Sequence, residues 1–327
     1  MTIMLDEIKQ EPNAIKQTYL KEVKSIQLAS DIISNSSMVY ISGSGTSFHA
    51  SAFLSMLLNK AGFPSCAIQA SNYDEFLLDR IREKSVNIIF SQSGESTDAL
   101  FNLTLSKKKK ISVIGITNEE NSTLAKNSDI CIVTRAGNER SVAATKSHSV
   151  QLASAILIYH KITGNEPEKV LNNVINGISE LIVNQNEINR LSRRLSNHVV
   201  FLGSGLDYTV AMEGDLKFKE TSGIYTESYV TREYLHGPIH RLGKETSVVI
   251  LYGDKVKDAP VISRIKEIAG NPLIIGSSDG DIKFEEMNML EKPLVYLTAV
   301  QMMANFKAVA MGQDPDHPAN LTKVVKE

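Results

Sequence analysis

The amino-acid sequence predicts an α/β protein with two parallel sheets, each flanked by helices. Short β-branched runs ending in Gly or Ser alternate with longer stretches of helical period, as in buried parallel strands joined by crossover helices. The second observation is a recurrence. Val39-Tyr40-Ile41-Ser42-Gly43-Ser44-Gly45 and Val199-Val200-Phe201-Leu202-Gly203-Ser204-Gly205 stand 160 positions apart, an offset that indicates duplication of a whole domain rather than a solenoid repeat. A length of 327 residues fits two such domains of about 150 residues each.

In chain order, an amphipathic helix over 14–34 precedes the first strand and packs outside it. Strands follow at 38–42, 87–90, 111–116 and 130–133. Apolar residues at Val170, Val174, Ile178, Leu181, Ile182, Ile188 and Leu191 predict one long connecting helix within 166–196. The second set of strands is expected at 198–202, 247–251, 272–275 and 293–297, matching the first set one for one. The domains are therefore placed at 1–165, with the N-terminal helix, and at 166–327.

Composition narrows the function classes. With 42% hydrophobic and 22% charged residues the chain is globular. A net charge of -2 leaves no electrostatic footprint for nucleic acid. The one dense basic run, residues 107–110, reads as a solvated helix end. Cys66 and Cys131 stand far apart in apolar stretches, without the spacing of a disulfide framework or a CxxC site. The N-terminus has no apolar leader core, and no stretch of about 18 apolar residues occurs, so a cytoplasmic location without membrane contact is expected.

The strand at 87–90 runs into Ser91-Gln92-Ser93-Gly94-Glu95-Ser96-Thr97-Asp98, after which a helical pattern starts. A hydroxyl-rich turn at a helix N-terminus gathers backbone N–H groups, hydroxyl donors and the positive end of the helix dipole, which makes an anion site. One or two such residues would suffice as a helix cap. Here Ser91, Gln92, Ser93, Ser96 and Thr97 crowd seven positions, which favours a phosphate monoester. Thr46 and Ser47, after the preceding strand, are placed to add to the same cradle. The duplicate strand end reads Leu251-Tyr252-Gly253-Asp254-Lys255, with a carboxylate instead of hydroxyls, so only the first cradle is expected to bind phosphate. The third glycine of GxGxxG is missing at Phe48 and no GxxxxGK[ST] occurs, which disfavours dinucleotide and nucleoside triphosphate cradles.

In the second half Glu213, Lys217 and Glu220 share one helix face at i, i+4 and i+7. Such a trio is often a solvated ion-pair ladder. Here it is followed by Arg232-Glu233-Tyr234-Leu235-His236-Gly237-Pro238, which puts a histidine on a Gly-Pro turn. Histidine titrates near neutrality and a shielded carboxylate can be raised toward it, so the two together can open a sugar ring and move a proton between adjacent carbons. The remaining histidines lack metal-ligand spacing, and no cofactor or metal is expected.

At this point the chain resembles the sugar isomerase (SIS) domain family. The motifs are Ser42-Gly43-Ser44-Gly45-Thr46-Ser47, Ser91-Gln92-Ser93-Gly94-Glu95-Ser96, Ala136-Gly137-Asn138-Glu139-Arg140-Ser141-Val142-Ala143-Ala144-Thr145-Lys146, Glu213-Gly214-Asp215-Leu216-Lys217-Phe218-Lys219-Glu220, His236-Gly237-Pro238 and Asn320-Leu321-Thr322-Lys323. It is most similar to the isomerase half of glutamine:fructose-6-phosphate aminotransferases and to stand-alone glucosamine-6-phosphate deaminases. The resemblance implies two tandem SIS domains, each a flavodoxin-like three-layer sandwich. It implies that Ser47, Ser91, Gln92, Ser93 and Ser96, with Thr46 nearby, hold the phosphate. Glu220 matches the base between C1 and C2, and His236 the ring-opening histidine supplied by the neighbouring subunit. Lys217 matches a lysine beside the base, and Lys323 the tail lysine that closes over the open-chain sugar. A homodimer with its active site at the subunit interface follows from the same likeness.

Two departures bear on the reaction. The sequence starts at the isomerase half, with no cysteine after Met1, so glutamine is not expected to supply ammonia. The residue before Thr145-Lys146 is Ala144, often Ser in the family, which removes a hydroxyl from the substrate's reach. The expected reaction is hydrolytic deamination of glucosamine 6-phosphate to fructose 6-phosphate and ammonia. Deglycation of a fructosamine 6-phosphate, isomerisation without ammonia loss, deamination of a galactosamine phosphate, and a non-catalytic sugar-phosphate sensor are the alternatives.

Overall fold

The computed structural model describes residues 2–75, 77–78, 84–253, 255–277 and 280–323. Helices α1 (Ile3–Ile8), α2 (Glu11–Lys21) and α3 (Val23–Ser34) precede strand β1 (Met38–Gly43). The chain continues through α4 (Thr46–Lys60), β2 (Ser65–Gln69), β3 (Ser85–Phe90), α5 (Thr97–Lys108), β4 (Ser112–Thr117), α6 (Thr123–Asn127), β5 (Ile130–Val133) and α7 (Lys146–Ile162). The later elements are α8 (Glu168–Val183), α9 (Gln185–Ser192), β6 (His198–Gly203), α10 (Leu206–Ser222), β7 (Tyr225–Val230), β8 (Thr246–Leu251), α11 (Lys255–Ala269), β9 (Leu273–Ile275) and α12 (Lys292–Ala310). Two compact units result. One comprises Gln10–Glu139, Lys146–Leu171 and Thr322–Glu327; the other comprises Met1–Lys9, Arg140–Thr145 and Asn172–Leu321.

The first unit holds a parallel sheet in the order β2-β1-β3-β4-β5, so the connection reverses direction between β1 and β3. In open sheets of this winding, ligands bind beyond the carboxyl ends of the strands at that reversal. The turns after β1 and β3 stand there. Every residue of β3 is buried, as a central parallel strand requires. Ile89, Ala99, Leu103, Val113 and Leu124 form a core that fixes the start of α5 against β3 and β4. Cys66 lies on edge strand β2 and is exposed, unlike its apolar neighbourhood in sequence; Cys131 lies half-buried on the opposite edge strand, β5, and burial pushes its thiol up to about 11.

The expected single helix over 14–34 is two helices, which meet at Glu22. Its buried carboxylate accepts hydrogen bonds from Arg135 Nε at 2.8 Å and Ser25 Oγ at 2.9 Å, which ties the break to the loop after β5. The basic run 107–110 does terminate a helix, with Lys107 paired to Asp129 at 2.6 Å.

The second unit repeats the winding in a four-stranded parallel sheet, β7-β6-β8-β9. Val200, Leu202, Val248, Ile250, Val261 and Ile265 form its core. Two expectations fail here. The connecting segment is two helices, α8 and α9, and residues 293–297 are the first turns of α12 rather than a fourth strand. Pro293 sits in that helix's first turn, where its missing N–H costs nothing, and nearly the whole of α12 is buried. Among the described residues no helix is long and apolar enough to cross a membrane.

Candidate active site

The two copies of the Gly-Ser-Gly turn adopt one backbone conformation. Gly45 has φ 53° and ψ -127°, and Gly205 has φ 60° and ψ -130°. A Cβ on Gly43 would lie 2.5 Å from the Ser47 carbonyl oxygen, and one on Gly203 would lie 2.6 Å from that of Asp207. Glycine is therefore required for each helix to start this close to its strand. Ser47 in the first unit thus corresponds to Asp207 in the second.

Around the β3–α5 turn of the first unit the hydroxyls form a connected set. Ser91 Oγ is 3.3 Å from Ser96 Oγ and accepts the Gly94 N–H at 3.1 Å, while Ser93 Oγ accepts the Glu95 N–H at 3.2 Å. Ser96 is the N-cap of α5, yet its side chain makes no capping bond. Its hydroxyl therefore serves the turn. The Gln92 carbonyl accepts Thr117 Oγ1 at 3.1 Å and the Asn118 N–H at 3.0 Å, which anchors the turn to β4. Ser91 and Ser47 are buried, whereas Gln92, Ser93, Ser96 and Thr46 are half-buried. Ser47 Oγ accepts Gln151 Nε2 of α7 at 3.0 Å, so its own hydrogen is left to donate elsewhere.

Lys323 also belongs to the first unit. Its Nζ lies 2.6 Å from Oε2 of Glu139, whose carboxylate accepts the Ser147 N–H at 3.0 Å and Ser147 Oγ at 2.6 Å. Burial pushes the Glu139 pKa up, but the Lys323 ammonium and the Ser147 donors outweigh it and hold it below the ordinary carboxylate range. Sequence reasoning quoted Glu139 within a motif without assigning it a role and passed over Gln151. Both are polar residues near or within α7, whose burial on nearly all sides erases the periodicity that would have marked an inward face.

In the second unit Lys217 is fully buried between carboxylates of its own helix, at 3.4 Å from Glu213 Oε1 and hydrogen-bonded to Glu220 Oε2. Burial lowers its pKa, but Glu220 and Glu213 more than offset this and keep the ammonium charged well above its ordinary value. The trio is therefore no solvated ladder. Glu213 is fully buried, while Glu220 keeps 22% of its side chain exposed, so one carboxylate is both fixed and reachable. His236 is exposed at the end of a 3-10 turn, and among the described residues no hydrogen bond joins it to Glu220.

In the second unit's own Gly-Ser-Gly turn, Asp207 is buried with its carboxylate against Gly253, where an added Cβ would lie 2.3 Å from Oδ2. Burial pushes its pKa up to about 8, with Lys292 opposing and Asp258 adding to the rise. Asp254, the carboxylate expected after β8 where the second half repeats the β3–α5 turn, lies outside the described residues.

The SIS domain family matches residues 32–161 and 194–279. A glutamine–fructose-6-phosphate aminotransferase (isomerizing) of Sulfurisphaera tokodaii is 33% identical over 98% of this chain and 56% of its own length. The Escherichia coli enzyme of that name is 28% identical over 98% of the chain and 58% of its own length. The chain thus spans somewhat over half the length of these relatives. Among solved structures, the C-terminal domain of the Francisella tularensis aminotransferase superposes with a TM-score of 0.83 at 25% identity, covering 97% of this chain and 98% of that domain. Glucosamine-6-phosphate deaminase of Thermotoga maritima gives 0.82 at 27%, covering 99% of both chains. With both halves matched and a third of the residues shared along almost its full length, the chain belongs to the SIS domain family.

Proposed function

We propose that this chain is a sugar-phosphate enzyme of aldose–ketose chemistry, built as two tandem SIS domains, and that it deaminates glucosamine 6-phosphate to fructose 6-phosphate and ammonia. The observation that carries the reading is Glu220, a partly exposed carboxylate fixed by a buried ammonium in a family of sugar isomerases. A base must be held in one geometry and still reach its proton. The phosphate is assigned to Ser47, Ser91, Gln92, Ser93 and Ser96 with Thr46, a reading supported by the place of both turns after the adjacent strands β1 and β3, where this winding binds ligands.

In this reading His236 opens the sugar ring, and its exposure supports delivery to a neighbouring subunit of a homodimer. Glu220 removes the C2 proton of the open-chain aldehyde and a proton is returned to C1, which gives the imine of fructose 6-phosphate. Water adds to C2 and ammonia leaves, so one water is consumed for each ammonia released. Lys323 meets the carbonyl end of the open chain.

The same groups would serve isomerisation without ammonia loss, the reading favoured by the likeness to the isomerase half of the aminotransferases. Assaying ammonia and fructose 6-phosphate from glucosamine 6-phosphate, with fructosamine 6-phosphates and glucose 6-phosphate as comparators, separates the readings. Stoichiometric ammonia from glucosamine 6-phosphate is expected. Interconversion of glucose and fructose 6-phosphates with no ammonia would replace deamination by isomerisation, and binding without turnover of any would leave a sensor.

A further inference from the structure

The loop after β5, the first turn of α7 and the chain's C-terminal tail meet on one carboxylate. Glu139 has no exposed side-chain surface and accepts hydrogen bonds from Ser147 N, Ser147 Oγ and Lys323 Nζ at 3.0, 2.6 and 2.6 Å. Ser147 is the second residue of α7, whose first-turn N–H groups have no partner within the helix, so the carboxylate also closes the helix start. Four residues on, and so on the same face of α7 about 5.4 Å along its axis, Gln151 donates to Ser47 Oγ at 3.0 Å. One face of α7 therefore holds the carboxylate that binds the tail lysine at its first turn and the Ser47 hydroxyl at its second. Neighbouring Lys146 locks the same turn from the other side, donating to the Asn138 carbonyl at 2.6 Å and to Gln10 Oε1 at 2.8 Å.

We propose that Glu139 is a positioning residue that holds the ammonium of Lys323, and with it the C-terminal tail, in register with the phosphate cradle through α7. The inference rests on the reading of Lys323 as the lysine that meets the sugar carbonyl. It adds what sets that lysine's place. Residues 311–323, the described residues after α12, form no strand or helix that would fix them, and Lys323 keeps a quarter of its side chain exposed while its ammonium is held by a buried anion. A charge-assisted bond to a carboxylate that is itself fixed by two further donors confines the tail end without enclosing it. The tail is thereby placed before substrate arrives.

The test uses the full chain with Glu139→Gln, Lys323→Met, Lys323→Arg and the double variant Glu139→Gln/Lys323→Met. Two readouts are taken: amide exchange of the tail peptide, and kcat and KM on the sugar phosphate that the wild type turns over. Glu139→Gln is expected to speed tail exchange to the level of Lys323→Met, while Lys323→Arg keeps the tail protected. Glu139→Gln is also expected to lower kcat by about tenfold to a hundredfold, the scale of a misplaced group, with KM changed far less. In the Lys323→Met background the same substitution should change kcat by less than about twofold, since a residue acting only through another loses its effect when that one is gone. Equal kcat losses from Glu139→Gln with and without Lys323 would overturn the proposal, as would unchanged tail exchange. If Glu139→Gln does not fold, Lys323→Met against Lys323→Arg still decides: equal tail exchange in the two overturns the latch. Full turnover by Lys323→Met would instead overturn the reading of Lys323, and the exchange experiment would still decide whether Glu139 holds the tail.

Discussion

Lys217 is an ammonium with no exposed surface, held between Glu213 and Glu220 at i-4 and i+3 on its own helix. Removing one partner of a buried ion pair leaves the other uncompensated, which costs about 3–5 kcal/mol. Lys217→Met is therefore expected to lower unfolding free energy by about that amount in urea denaturation; a loss below about 1 kcal/mol would return the trio to the surface-ladder class. Asp207 makes the opposite case. Its pKa, raised to about 8 mainly by burial, means that the folded chain keeps a proton that the unfolded chain releases near pH 4. The unfolded state then binds fewer protons, so the contribution of this group to stability falls as pH rises from about 4 to about 8. Asp207→Asn removes that titration. Its thermal midpoint should fall less than the wild type's between pH 5 and 8, and identical slopes would refute the assignment. Neither behaviour could be read from the sequence, because spacing put the trio on one face but did not say whether that face was wet. Asp207 was not singled out by the sequence analysis, since nothing in its spacing marks it as buried.

At the scale of elements, legibility followed burial. The central strands β1, β3, β4, β6 and β8 were all found, since strands covered on both faces read as continuous apolar runs. The edge strands β5 and β9 were also found, through their apolar runs, whereas the missed edges β2 and β7 lack such runs: Ser65–Gln69 is half-exposed with one buried residue, and Tyr225–Val230 carries Thr226, Glu227 and Ser228. Residues 293–297 failed for the converse reason. A helix buried on all sides loses its period, and a short apolar run from it cannot be told from a strand. The hydroxyl-rich turn between β3 and α5 was legible because its serines lie in nearly consecutive residues. What the structure adds is how tightly the turn is set. Gly94 has φ 63°, and a Cβ there would lie 2.2 Å from Ser122 Oγ and 2.9 Å from Thr117 Oγ1. Gly94→Ala is expected to cost about 1–3 kcal/mol of stability through strain at a left-handed position and to weaken inorganic phosphate binding. Calorimetric titration showing wild-type phosphate affinity in that variant would mean that the anion binds elsewhere.

For the whole molecule, two sheets of one winding carry different equipment. The first carries hydroxyls around β3–α5, and the second carries the α10 trio and a buried Asp207 where the first has Ser47. The exposed His236 follows Glu220 by way of edge strand β7, and spacing alone does not say which site it serves. If His236 acts in the neighbouring subunit, mixing inactive Glu220→Gln with inactive His236→Ala under subunit exchange restores one intact site per hybrid dimer. About half of randomly exchanged dimers are hybrids, so activity near a quarter of wild type per chain is expected. No recovery despite demonstrated exchange would place both residues in one subunit's site.

Beneath both the deamination and the isomerisation readings lies one claim, that Glu220 takes the proton from C2 of an aldose phosphate. Glucosamine 6-phosphate and glucose 6-phosphate carrying deuterium at C2 test it whether the proton is passed to C1 or lost to water. With the wild-type chain the label should leave C2 of at least one of them, and with Glu220→Gln it should leave at least about a hundredfold more slowly while phosphate binding is unchanged. Label retained at C2 by the wild type, or lost equally fast from the variant, would contradict the account.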